Sequence, residues 1–547
     1  MVKVSKKLGY FAFSTLFSAL ALSAVAAEVP AGTQLDQHQH LRWNIAANPA
    51  SLDPQKIEGT PEGMAVRQLF EPLVISDAKG NVIPGAASKW DHSPDYKVWT
   101  FTLRPNGKWS NGDPVTAEDF VFAFQRLANP ETASPYSSYL DYLKLKNADA
   151  VISGKLPPSQ LGIKALNDHT LQLTLTEAVP YADKLLEHYV LSPVNKKVVE
   201  KYGDKWTEIK HIVGNGAFKP IKWVINEKME LVPNPYYWDN AKTVLKEVTL
   251  YPIVSSNTDV ARYRSGDLDI TGPSIPVELF KKMKKEYPNE VYVPTSLCSY
   301  FYEMNTQKPP FNNPKVRKAL SMALDRNIIT DKVLAQGQLP AYNFTPTYIG
   351  SGEKIQKPEW ANWTQKQRNQ KAIELLKEAG FDKQHPLDFS ILYNTSESHK
   401  KIAIAASSIL RKNLNGAVKV KLENQEWKTY LDTRHQGNYQ VARAGWCADY
   451  NEATTFLNYF LSNSSNNTSF YKNEAYDNFL KEAFNAKDEE GRAQAYANAE
   501  AQLAKDMPYI PFYYYVSPRM VKPYVKGFAI NHPGQNYYLK DVYLIKH

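Results

Sequence analysis

Ser398-His399-Lys400-Lys401 has the S-x-x-K spacing with which a serine nucleophile and a lysine base form acyl-enzymes. The S-D-N and K-T-G elements that complete such a site are missing. His38-Gln39-His40 offers two imidazoles without further ligands at useful spacing, so solvated histidines are expected there and no metal site. The chain has no H-E-x-x-H, no G-x-S-x-G, no Walker A segment and no G-x-G-x-x-G. With no nucleophile–base set in view, neither an enzyme nor a cofactor is expected.

Binding chemistry is better represented. Aromatic residues make up 12% of the chain, with 34 tyrosines. Many are clustered, as in Tyr300-Phe301-Tyr302, Tyr513-Tyr514-Tyr515, and Tyr136 with Tyr139 and Tyr142. Most belong to cores, but tyrosine also suits a cleft, giving large area, little side-chain entropy and a polar tip. Asp449 follows a strand-like run, Gln440-Val441-Ala442-Arg443; taken alone, an aspartate before Tyr-Asn reads as a loop cap. The only two cysteines, Cys298 and Cys447, predict a disulfide in an oxidising compartment, against the alternative of two buried thiols. A loop of that length is worth about 4–5 kcal/mol in the chain-entropy account.

The elements that must hold these residues are legible in places. Val98–Leu103 and Thr170–Leu175 alternate and are rich in β-formers. In the candidate strand Ile510–Val516, Pro511 demands an edge or a strand start. Asn313-Pro314 caps a helix with Val316, Ala319, Leu320 and Ala323 on one face. A second helix carries Ile373, Leu376 and Ala379 and stops at Gly380. Thr116-Ala117-Glu118-Asp119 is a capping box with aspartate in its last place. The class is mixed α/β, in several units.

The chain opens on Lys3, Lys6 and Lys7, an apolar stretch from Tyr10 to Val25, and Ala24-Val25-Ala26. That order predicts a secretory signal peptide over 1–26, cut after Ala26. No cysteine lies near the cut to take a lipid. A free periplasmic protein is expected. The formal charge of +9 is spread among interspersed acids and lysines, which argues against a nucleic-acid partner.

Arg443-Ala444-Gly445-Trp446-Cys447-Ala448-Asp449-Tyr450-Asn451-Glu452 resembles the peptide-binding branch of the family-5 solute-binding proteins, receptors of peptide and nickel ABC importers. The likeness continues through Ser51-Leu52-Asp53-Pro54, Lys56-Ile57-Glu58-Gly59, Lys108-Trp109-Ser110-Asn111-Gly112, Gln307-Lys308-Pro309-Pro310-Phe311 and Asn424-Gln425-Glu426-Trp427-Lys428. It covers essentially the whole mature chain. It implies a three-domain, two-lobed α/β clamp of the class II, cluster C type, with mixed sheets and a hinge of two crossing segments, near Cys298 and Val516. Domain I would comprise 27–70, 196–297 and 517–547, domain II 71–195, and domain III 298–516.

The resemblance also implies roles. Asp449 matches the carboxylate that pairs with a peptide's α-ammonium, and Tyr136 a tyrosine at the same end. Main-chain groups at Gly59, Thr60, Gly445 and Cys447 would hold the peptide as an added strand. Glu58, Trp427, Leu431, Arg434, Trp446 and Tyr515 would line or balance side-chain pockets. Arg443 and His399 would meet the peptide's carboxylate. Three positions depart from the family: Leu334 replaces a lysine that meets the carboxylate of some peptide lengths, and Ser296 and Phe301 replace tyrosines. The function implied is a monomeric receptor that captures peptides of about two to five residues and delivers them to membrane permease subunits. A murein tripeptide receptor of the same fold is the nearer alternative; a surface adhesin is the more distant one.

Overall fold

The structure is a computed structural model and describes residues 29–547 other than Lys487. The expected signal peptide lies outside the described residues. Among these, no helix is long and apolar enough to cross a membrane.

The chain folds into two lobes. The first holds two four-stranded sheets. In one, His40–Asn44 runs parallel to Glu247–Tyr251, followed by Lys228–Pro233 and Phe218–Val224. The other is an antiparallel set of Ala87–His92, Val98–Leu103, Thr170–Thr174 and Ile163–Asn167. Val98–Leu103 alternates half-buried and buried residues, as its pattern predicts. Helix Ala117–Ala128 covers that sheet with Phe120, Phe124 and Leu127. Its capping box is present: the Thr116 N–H donates to Asp119 Oδ2 at 2.9 Å. Each such buried apolar side chain contributes about 1.5–3 kcal/mol.

The second lobe is built on a six-stranded mixed sheet in the order Leu339–Pro340, Tyr509–Val516, Thr295–Met304, Val441–Cys447, Leu387–Asn394, Val418–Gln425. Helices Pro314–Ala323, Gln365–Glu378 and Glu397–Asn413 pack on it. Asn313 caps the first through its side chain, and Gly380, at φ +90°, follows the second. Pro511 sits where its strand is irregular: the pairing shifts between Tyr300 and Phe301, and Leu339–Pro340 reaches only Tyr513 and Tyr514.

Two adjacent segments join the lobes. Val291–Tyr292 pairs with Arg519–Met520 on the first-lobe side. Thr295–Met304 pairs with Tyr509–Val516 on the second-lobe side. The ladder is interrupted between the Thr295↔Val516 and Ser299↔Tyr514 pairs. There Ser296 Oγ and Ser517 Oγ lie 2.9 Å apart, and Gln535 Nε2 donates to Ser296 at 2.6 Å.

Candidate peptide cleft

Strand Val441–Cys447 is the floor of the cleft. One edge pairs with Thr295–Met304 along its whole length. The other pairs with Leu387–Asn394 only at Val441 and Ala442. From Arg443 to Cys447 that edge has no strand partner among the described residues, so its main-chain groups can take an extended segment. Burial alternates along it: Arg443, Gly445, Cys447 and Asp449 face the cleft, and Ala444, Trp446 and Ala448 are buried. Cys447 bonds to its cross-strand neighbour Cys298, so the predicted disulfide stitches the floor to the hinge strand.

Asp449 closes one end. Its side chain is 10% exposed, and the only basic group within ion-pair distance among the described residues is His188, with Nε2 3.1 Å from Oδ1. His188 is buried between the rings of Tyr136, at 4.8 Å, and Tyr139, at 4.9 Å. Burial pushes its pKa down and outweighs the pull of Asp449, so the ring is neutral. Its Nδ1 accepts the Val190 N–H at 3.3 Å, which leaves the proton on Nε2, donated to Asp449. The Asp449 N–H donates to Thr455 Oγ1 at 2.9 Å, fixing the loop, and the Tyr136 hydroxyl lies 3.5 Å from Oδ1. Asp449 is thus an oriented carboxylate with hydrogen-bond donors and no cation.

Arg443 holds the other end. Its Nη2 donates to Tyr515 Oη at 2.6 Å and its Nη1 to Asn394 Oδ1 at 3.3 Å. Nε is buried without a partner, and the guanidinium lies 5.1 Å from the Tyr300 ring centre. No carboxylate reaches it among the described residues. His399 Nδ1 is 3.5 Å from the Tyr300 hydroxyl, and burial, aided by the Arg443 charge, pushes its pKa well down. This end is a cation without an anion.

Of the residues expected to line side-chain pockets, Glu58 and Trp427 make polar contacts across the lobes. Glu58, in the first lobe, meets His435 Nε2, in the second, at 2.6 Å. Glu58 raises the His435 pKa, and, against burial, His435 lowers that of Glu58, so the pair is charged. Trp427 stacks on Tyr430 and donates its indole N–H to Glu62 Oε1 at 2.9 Å across the lobes. Burial pushes the Glu62 carboxyl up to about 7. Gly59 is buried against both: a Cβ there would stand 2.1 Å from Glu62 Oε2 and 2.7 Å from the Trp427 ring. Thr60 opens helix Thr60–Leu69 and is exposed. Leu431 packs with Leu392 and Tyr430. Trp446 faces away from the floor, donating to the Thr455 carbonyl and stacking on Tyr136 at 6.1 Å. Arg434 is neutralised inside the second lobe by Glu303 at 2.7 Å, and also donates to Tyr459 and Thr468.

Of the departures, Leu334 is buried in the second-lobe core with Tyr300 and Tyr513. Phe301 packs on Phe344, Tyr459 and Tyr509, on the face of its strand opposite Tyr300. Ser296 lies in the hinge. His188, Glu62 and His435 were not singled out as site residues by sequence reasoning, since their partners lie in distant parts of the chain.

Two lobes shut on an unpaired strand edge, with an unmatched anion at one end and an unmatched cation at the other, define a ligand-clasping binding protein. Residues 81–468 match the model of the bacterial extracellular solute-binding proteins, family 5, middle part, and the chain belongs to that family. It is 56% identical over 527 residues to the periplasmic oligopeptide-binding protein OppA of Salmonella typhimurium, covering 96% of each chain. The crystal structure of Haemophilus influenzae OppA in complex with RPPGFSPFR superposes with a TM-score of 0.93 at 55% identity, over 94% of this chain and 100% of that one. The Escherichia coli murein tripeptide-binding protein MppA, 44% identical, gives 0.91 in one structure, over 94% of this chain and 100% of that one. Its unliganded open form gives 0.64, over 95% and 99%. The present chain therefore has its lobes shut.

Proposed function

We propose that this protein is a periplasmic receptor that closes on short peptides and hands them intact to the permease subunits of an ABC importer. The observation that carries the reading is Asp449, enclosed and hydrogen-bonded yet without a cation, at the end of an open strand edge whose far end bears Arg443 without an anion. A peptide zwitterion supplies both missing charges. A buried charge is tolerated only when paired and hydrogen-bonded, so the ligand completes the site. Main-chain pairing along Arg443–Cys447 is blind to side chains, which fits a receptor of broad specificity. Roughly 20 Å of strand separates positions 443 and 449; less the reach of the two side chains, this fits about three to five extended residues. The nine-residue ligand held by the H. influenzae relative exceeds the two-to-five range implied by the resemblance, so the fold itself does not impose that limit.

The domain boundaries drawn from the resemblance stand as part of this reading, with the chain crossing between lobes near Cys298 and Val516. The binding role leaves no step for bond cleavage. The murein alternative would have Arg434 meet an additional ligand carboxylate, but Arg434 is already neutralised by Glu303, which favours ordinary peptides.

Calorimetry with trilysine and with N-acetyl-trilysine tests the reading. Acetylation removes the ammonium charge, so only the free peptide should bind. Equal affinity for both would sink the proposal.

A further inference from the structure

We propose that Glu397 is a positioning residue that assembles the carboxylate-binding end of the cleft only when the lobes shut. The inference rests on the peptide-receptor reading above and extends it to a residue that touches no ligand.

Glu397 opens helix Glu397–Asn413 of the second lobe. Its carboxylate sits at the start of helix Ser256–Ser265 of the first lobe. Ser255 Oγ donates to Oε1 at 3.0 Å, Ser256 Oγ to Oε2 at 2.9 Å, and Asn257 Nδ2 to Oε2 at 3.2 Å. An anion there also meets the positive end of the helix dipole. Three donors to one carboxylate form charge-assisted bonds, stronger than neutral ones. Ser398 Oγ lies 3.2 Å from Ser274 Oγ, and Lys401 Nζ is 2.9 Å from Glu278 Oε2. The Lys401–Glu278 pair is exposed and worth little; Glu397 is the grip.

His399 lies on the same turn but faces inward, to the hydroxyl of Tyr300, whose ring lies beside the Arg443 guanidinium. Ser396 caps the turn by accepting the His399 N–H at 3.4 Å. One helical turn therefore docks on the first lobe through residues 397, 398 and 401 and presents 399 to the cleft. Opening the lobes strips Glu397 of its three donors and leaves the turn that places His399 held from its own lobe alone, by the Ser396 cap. Closure and recognition of the peptide's carboxylate are thus a single event, and Glu397 links them.

Stopped-flow binding of trialanine by the full mature protein tests this, with unliganded melting measured alongside. Glu397→Ala is expected to raise the dissociation rate about tenfold, with the association rate and the unliganded melting temperature unchanged. Ser255→Ala with Ser256→Ala should do the same in part, and adding Glu397→Ala to that pair should cost no more than Glu397→Ala alone, since the side chains act as one unit. Glu397→Gln keeps the shape and should fall between wild type and Glu397→Ala. Wild-type dissociation in Glu397→Ala overturns the assignment, as does a lower unliganded melting temperature with unchanged rates. If wild type itself binds no peptide, the receptor reading fails and this one with it. If wild type binds and Asp449→Asn does not, but Glu397→Ala behaves as wild type, only the role of Glu397 is lost.

Discussion

Asp449 and Arg443 face one cleft from a single strand and its extension, and each is a charge with no counter-ion among the described residues. The neutral His188 orients Asp449 without satisfying it, and Tyr515 does the same for Arg443. On the reading proposed above, a peptide zwitterion supplies both missing charges.

Asp449→Asn keeps the shape and removes the charge. Leaving a buried ammonium unpaired costs about 3–5 kcal/mol, so affinity for trialanine should fall by about a hundred-fold or more in calorimetry. A loss below tenfold would place the ammonium elsewhere.

The Leu334 departure predicts a shifted length preference. Tri-, tetra- and pentapeptides of alanine should differ in affinity, and Leu334→Lys should improve one length by about tenfold while leaving the others nearly unchanged. Because Leu334 is buried among apolar side chains, the variant's melting temperature should also drop. Equal affinities at all lengths in both proteins would contradict this.

Closure should take up protons at the interlobe pair. The His435 pKa is raised by Glu58 when the lobes are shut. This contribution is full below the ordinary histidine pKa of about 6.5 and is lost as pH rises through the raised value. Glu62, pushed up to about 7 by burial, acts in the same direction through the end of its own titration. Peptide affinity should therefore weaken from pH 6.5 to 8.5, and less steeply in His435→Gln. His188 and His399 have pKa values lowered by burial in the shut state, so where opening restores an ordinary histidine they oppose this slope near pH 6.5, and the comparison of wild type with His435→Gln is what isolates the pair. Identical slopes for wild type and His435→Gln would remove this pair from the linkage.

Replacing both Cys298 and Cys447 by alanine should cost about 2–5 kcal/mol of folding stability. The floor strand keeps its full ladder with Thr295–Met304, so trialanine affinity should stay within about threefold of wild type. Loss of binding in a variant that still melts cooperatively would show that the disulfide shapes the cleft itself.

Local signals found the local structure. The capping box at Thr116, the cap at Asn313, the stop at Gly380 and the misfit of Pro511 each concern neighbours along the chain, and each appears where the residues demand it. Asp449 was different: a lone aspartate in a loop carries no periodicity, and only the surrounding family motif singled it out. The interlobe partners carry no local trace at all. Glu62 meets Trp427 across 365 residues and Glu58 meets His435 across 377, through a contact that exists because two lobes shut. Glu397 stands just before the failed S-x-x-K match at Ser398–Lys401, and its meaning lies in the hydroxyls of another lobe.

The paired ribbon that joins the lobes has a mechanical consequence. Two hydrogen-bonded strands side by side resist sliding past one another but can bend where their ladder is broken, between the Thr295↔Val516 and Ser299↔Tyr514 pairs. A spine of this kind should let the two lobes swing about one axis with little shear. Scattering curves recorded during opening should then be described by one angle.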